Sequence, residues 1–84
     1  MKSKVDPSFW RRFNALPPEV QQAAHRSYEI WLENPFYPSL HFKRLGNEIW
    51  SVRIGIHYRA TGYFLSRDTF VWDWIGTHEE YNKL

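Results

Sequence analysis

Apolar and polar positions change period near the middle of the chain. Up to about residue 33, apolar residues recur at helical spacing; beyond residue 39 they gather in short β-branched and aromatic runs. Asp6-Pro7 is a helix start, with Asp6 able to cap the first amides and Pro7 suited to the first helical position. Val5 and Trp10 flank that cap at the spacing of a hydrophobic staple, and Phe9, Phe13 and Leu16 continue the stripe. The pattern predicts a helix over about 7–15, ended by Pro17-Pro18, and a second over about 18–33. Val20, Ala23, Ala24, Ser27, Ile30 and Trp31 line one face of the second helix, while Glu19, Gln21, Gln22, Arg26 and Glu29 occupy the others. Asn34-Pro35 stops it, because a residue before proline is pushed out of the helical region.

Strands are predicted at about 39–45, 49–54, 58–65 and 70–76, separated by Gly46-Asn47, Gly55-Ile56-His57 and Ser66-Arg67-Asp68. Their short connections imply an antiparallel meander. In 39–45, Leu40, Phe42 and Arg44 share one side, and His41, Lys43 and Leu45 the other. The expected fold is α+β: an antiparallel helix hairpin covering one face of a small antiparallel sheet, in one domain spanning residues 1–84.

Composition narrows the class. No cysteine is present, so neither disulfides nor thiolate metal sites enter the account. Five tryptophans in 84 residues supply large buried areas to a small core. The net charge of +2 permits a polyanionic partner without requiring one. No apolar run reaches membrane-spanning length and no secretory leader is evident, so a cytoplasmic location is expected.

The sheet face left free by the helices is where chemistry is expected. Arg53 alternates with Trp50, Val52 and Ile54, and Arg59 lies opposite in face to Tyr58. Together with Lys43 and Arg44 they form a candidate phosphate-binding cluster, with His78 and Tyr81 arriving from the end of the last strand. Arginine suits phosphate through its planar fork, and histidine moves protons near neutral pH. Strict alternation places Trp72 with Trp74, and Asp73 with Val71 and Ile75; since either face can be the core, the side of Asp73 stays open. Asp73 is either an orienting partner for Arg59 or a simple ion pair. The plainer readings are a solvated arginine, a sheet-end histidine and a tyrosine that docks a terminal turn. His25, His41 and His57 show no metal-ligand spacing and read as surface residues; no metal or other cofactor is expected.

The order Phe13, Leu16-Pro17, Val20-Gln21, then "NPFYPSLHFKRL" (34–45), "WSVRIGIHYRA" (50–60) and "WDWIGTHEEY" (72–81) resembles the RelE/ParE superfamily of type II toxin–antitoxin toxins, from about residue 9 onward. The resemblance implies a helix hairpin on an antiparallel sheet and a cognate antitoxin protein as partner. It also implies a target. RelE-like members cleave mRNA on the ribosome, whereas ParE-like members poison DNA gyrase. "GTH" followed by an aromatic favours the first activity, with gyrase inhibition, or a non-catalytic member binding only antitoxin and operator DNA, as alternatives. Carried over by position, Lys43 and Arg53, then Arg59, then His78 and Tyr81 are the implied functional residues. Arg53 and Arg59 would hold the scissile phosphate, His78 would act as general acid or base, and Tyr81 would stack on a base or assist proton transfer. Two departures stand out. Members usually open with a β-strand, for which residues 1–5 look too short, so either one strand fewer is expected or the segment 39–45 fills its place. They are also often more basic than +2.

Overall fold

Asp6 begins the first helix as its chemistry dictates: its carboxylate accepts the Ser8 N–H at 2.9 Å, and Pro7 opens the first turn. The computed structural model describes residues 1–83. In chain order the elements are β1 (Lys2–Val5), α1 (Pro7–Asn14), α2 (Pro18–Glu33), a 3-10 turn (Pro38–Leu40), β2 (Lys43–Gly46), β3 (Ile49–Ile54), β4 (Tyr58–Ser66), β5 (Thr69–Thr77) and α3 (His78–Tyr81). The strands form one sheet in the order β1-β5-β4-β3-β2.

Both long helices lie on one face of the sheet, α1 against β5 and α2 against β3. Gln21, which helical periodicity assigns to the solvent side, ties them together: its side-chain amide donates to the carbonyls of Phe13 and Leu16, both at 3.1 Å. Those carbonyls belong to the end of α1 and the turn after it, where backbone acceptors lack helical partners. Trp31 of α2 is buried at the centre of the core, with ring centroids 5.1 Å from Trp72, 5.4 Å from Phe70 and 5.9 Å from Phe42. Phe9, Phe13, Leu40, Val52, Ile54, Ala60 and Ile75 complete it.

Three features depart from the sequence expectation. The opening segment is a strand after all: β1 pairs in parallel with β5, from Lys2 opposite Thr69 to Val5 opposite Trp72. The sheet is therefore mixed and has five strands, not four. Four residues suffice because an edge strand needs one ladder only. Its apolar signal is weak, since Lys2 and Lys4 face solvent, as edge strands favour, and only Ser3 and Val5 are half-buried.

Residues 38–40 do not extend a strand. Pro38 cannot donate to a ladder, and a 3-10 turn forms instead, followed by His41 in the left-handed region at φ 47°. Pairing begins only at Lys43.

The last strand breaks its alternation. Thr61 pairs with Trp74 but Gly62 pairs with Trp72, so Asp73 is the extra residue of a β-bulge. Trp72 thus enters the core beneath the helices, while Trp74 lies across from Thr61 on the opposite face. The expectation that both tryptophans share a face fails for this reason. Gly62 makes the bulge sterically feasible, because a Cβ there would sit 2.2 Å from the Val71 carbonyl oxygen and 2.4 Å from the Phe70 ring.

Candidate functional site

Two arginines stand side by side on the sheet face opposite the helices. Arg53 of β3 and Arg59 of β4 are direct cross-strand partners, each flanked along its strand by residues of the core, Val52 and Ile54 for one and Tyr58 and Ala60 for the other. Like charges placed opposite one another weaken a sheet. Among the described residues no carboxylate neutralises them. Arg53 Nε donates to the Gly55 carbonyl at 2.9 Å, and Arg59 Nε donates to His78 Nδ1 at 3.2 Å. One terminal nitrogen of Arg59, Nη1, is buried and has no hydrogen-bond partner among the described residues. A pair of half-buried guanidinium groups with donors to spare can offer several N–H donors, two of them in a planar fork, to an anionic oxygen group.

The chain after β5 folds back over this face. Thr77 caps α3 through a reciprocal box: its hydroxyl accepts the Glu80 N–H at 3.1 Å, and the Glu80 carboxylate accepts the Thr77 N–H at 2.9 Å. The backbone bond from Thr77, reinforced by its hydroxyl, holds the Glu80 carboxyl below its ordinary titration range. Gly76 lies opposite Arg59, and a Cβ there would meet the Trp74 ring at 2.7 Å and the Glu80 carboxylate at 3.0 Å. The missing side chain leaves room for the cap. A further tie comes from the His78 N–H, which donates to the His57 carbonyl at 2.7 Å.

α3 thereby presents His78 and Tyr81 to the arginines. Their rings lie 5.9 Å apart at 22°, and the Arg59 guanidinium is 5.2 Å from the Tyr81 ring centroid. Tyr81 reaches across β4, its hydroxyl 3.4 Å from Ser51 Oγ on β3. Because Arg59 donates to His78 Nδ1, the neutral imidazole carries its proton on Nε2.

The other sequence candidates divide. Lys43 pairs with Ser51 and so shares the arginine face, one pleat further along the sheet. Arg44 pairs with Trp50, whose ring packs on Phe42 in the core, and therefore points to the helix side, away from the cluster. Asp73 accepts a hydrogen bond from Thr61 Oγ1 at 2.9 Å; the structure gives it this partner rather than Arg59. Two side chains that the sequence reading passed over join the site. His41, read there as a surface residue, has Nε2 3.4 Å from Arg53 Nη1. Ser51 is fully buried beneath Tyr81. His41 sits two positions before Lys43 on the same alternation, which is the one signal that pointed to it. Ser51 carried none beyond its face.

An open groove beside the cluster is lined by Leu45, Ile49, Thr61, Asp73, Trp74 and Tyr81, a mixed polar and aromatic wall. Among the described residues no three His, Asp or Glu side chains are grouped to hold a metal ion, and no helix is long and apolar enough to cross a membrane.

Solved structures share this architecture. YafQ from E. coli superposes with a TM-score of 0.77 at 8% identity, covering 95% of this chain and 96% of its own. The toxin of the RelB–RelE antitoxin–toxin complex from Methanococcus jannaschii gives 0.74 at 12% identity, with 95% of both chains covered. A YoeB/ParE toxin from Agrobacterium tumefaciens gives 0.73 at 15% identity, covering 93% of this chain and 99% of that one. At these identities the likeness is one of fold. A comparison with curated proteins returns no match. The sequence model of the ParE-like toxin domain matches residues 18–83, which takes in α2, the meander and α3 with its histidine and tyrosine. The chain belongs to the ParE-like toxin domain family.

Proposed function

We propose that this protein is the toxin of a toxin–antitoxin module and that it inhibits translation by cleaving mRNA on the ribosome. The observation that carries the reading is the adjacent pair Arg53 and Arg59, unpaired with any carboxylate among the described residues, with His78 bonded to one of them. Cleavage next to a 2′-hydroxyl needs three things. A base removes the 2′ proton while the 2′ oxygen forms a bond to phosphorus. Cations stabilise the charge that builds on the non-bridging oxygens. An acid protonates the 5′ oxygen as its bond to phosphorus breaks, leaving a 2′,3′-cyclic phosphate and a 5′-hydroxyl. Arg53 and Arg59 serve the second role. When Arg59 turns toward a phosphate it releases His78 Nδ1, so that the imidazole has one free acceptor and one donor for proton transfer. Tyr81, stacked beside His78, offers a ring to a neighbouring base. Lys43 extends the positive surface along the backbone of the strand.

A net charge of +2 supports little affinity for free RNA, which fits a substrate presented by the ribosome. Several related folds were solved with RelB antitoxins bound. The exposed Phe36, Tyr37, Ile56 and Leu65 offer this chain's own antitoxin apolar surface to cover.

Primer extension on transcripts after induction tests the reading. Codon-positioned cuts are expected with the native chain and absent with Arg59→Ala and His78→Ala proteins whose circular dichroism is unchanged. Growth arrest with intact transcripts overturns it, and accompanying gyrase–DNA cleavage complexes would identify gyrase as the target. No arrest at all would instead indicate a protein that binds only antitoxin and operator DNA.

A further inference from the structure

We infer that His41 is a second proton-transfer residue of this site, placed across the two arginines from His78; the inference rests on the endoribonuclease reading above. The side chains form a continuous row. His41 Nε2 is 3.4 Å from Arg53 Nη1, Arg53 and Arg59 are cross-strand partners, and Arg59 Nε donates to His78 Nδ1 at 3.2 Å. Each arginine thus has its own histidine on its outer side. Neither histidine belongs to the sheet: one precedes β2 and the other opens α3.

His41 is held in place by more than its one contact. Leu40 before it and Phe42 after it are both buried in the core, so the residue is clamped at each end. Its backbone is left-handed, with φ 47° and ψ 43°, and its N–H closes the 3-10 turn on the Pro38 carbonyl at 3.3 Å. A non-glycine residue in that conformation persists only where its surroundings over-determine it, and such positions gather at functional sites. The side chain itself stays exposed, hence open to a substrate.

The chemistry asks for this arrangement. In transesterification the attacking 2′ oxygen and the departing 5′ oxygen lie on opposite sides of phosphorus, and each needs its own proton-transfer group. A phosphate seated on the central arginines would have one imidazole toward each side. Tyr81, the other candidate for proton work, has its hydroxyl directed to Ser51, which leaves the imidazoles for the two transfers. The groups around each are distinct. His41 faces Arg53 from β3 and precedes Lys43 on β2; His78 faces Arg59 from β4, stacks on Tyr81, and adjoins Glu79 and the cap-bound Glu80 on α3.

The test is single-turnover cleavage of mRNA on programmed ribosomes over roughly pH 5 to 8, the range in which imidazoles change charge. His41→Asn is the first variant, because asparagine tolerates the left-handed backbone, and His41→Gln is the second. The native protein is expected to give a bell-shaped profile. Each His41 variant should lose about 100-fold in rate and one limb of the bell, and His78→Gln the other limb. Binding to ribosomes carrying 2′-O-methylated mRNA should stay within about twofold of native, and His25→Gln, on α2 against Phe13 of α1 and on the helix side of the sheet, should cleave as native. If the native protein cuts and His41→Asn cuts equally with both limbs present, His41 has no such role while the endoribonuclease reading stands. A rate loss matched by an equal loss of binding also overturns the role, leaving His41 a contact only. If the native protein does not cut, the endoribonuclease reading fails and this inference with it.

Discussion

Replacing Gly62 by alanine tests the feature that sets the two faces of β5 apart. A Cβ at this position would lie 2.2 Å from the Val71 carbonyl oxygen and 2.4 and 2.8 Å from two carbons of Phe70. Ordinary contact with such atoms needs about 1 Å more. Phe70 is completely buried and packed by Trp31, Phe42, Phe64 and Trp72, so its ring has nowhere to retreat. The strands must therefore part at the bulge. Overpacking of this kind costs about 1–3 kcal/mol. Loss of one ladder hydrogen bond adds about 1 kcal/mol. For a chain of 84 residues, each kcal/mol moves the midpoint by roughly 6 °C, so G62A should melt roughly 12–24 °C below the native protein. Thermal unfolding followed by circular dichroism reads this directly. A midpoint within about 2 °C of native would mean that β4 and β5 pair without the bulge, and that Trp72 and Trp74 share a face after all.

Further outcomes follow from the site. Arg59→Lys keeps a charge but loses the planar fork and the Nε bond to His78; cleavage should fall at least about tenfold while the melting midpoint moves little. Tyr81→Phe removes only the long 3.4 Å contact to Ser51 and should leave stability within about 1 kcal/mol, whereas Tyr81→Ala uncovers Ser51 and Trp74. If Tyr81 acts by stacking, the phenylalanine variant retains cleavage and the alanine variant loses it; equal loss in both would assign the work to the hydroxyl. The carboxyls of Asp6 and Glu80 are both held below their ordinary range, chiefly by backbone N–H bonds from Ser8 and Thr77. Stability from a depressed carboxyl is present above its unfolded-state titration and is lost as pH falls through the folded one. Acid titration of the melting midpoint should therefore show a drop below about pH 4.5, reduced in Glu80→Gln, which removes the titrating carboxyl, and an unchanged acid limb in that variant would refute the assignment to the cap.

Much of this was legible in the chain because the determinants were local. Asp6-Pro7, the double proline and Asn34-Pro35 punctuate the helices, and the turn residues between strands place β3, β4 and β5 within a residue or two. What escaped was non-local. β1 is recognisable only beside β5, since a four-residue edge strand with two lysines has almost no apolar pattern of its own. The Asp73 bulge depends on the close approach of Gly62 to Val71 and Phe70 from a neighbouring strand, so strict alternation misassigned Trp74. The site shows the same division. Arg53 and Arg59 could be assigned to one face from alternation within their own strands. The placement of His41 depends on a turn after Pro38 that bends the chain out of strand geometry, and the charge of Arg44 suggests the cluster while its alternation with Phe42 carries it to the helix side.

The measurement that bears most directly on the account is primer extension of a defined message in a reconstituted translation reaction. The purified chain should generate cuts at codon-fixed positions within ribosome-bound mRNA, with 2′,3′-cyclic phosphate ends, and His78→Gln should abolish them without lowering the melting midpoint. Full-length message in the presence of folded native protein would contradict the account.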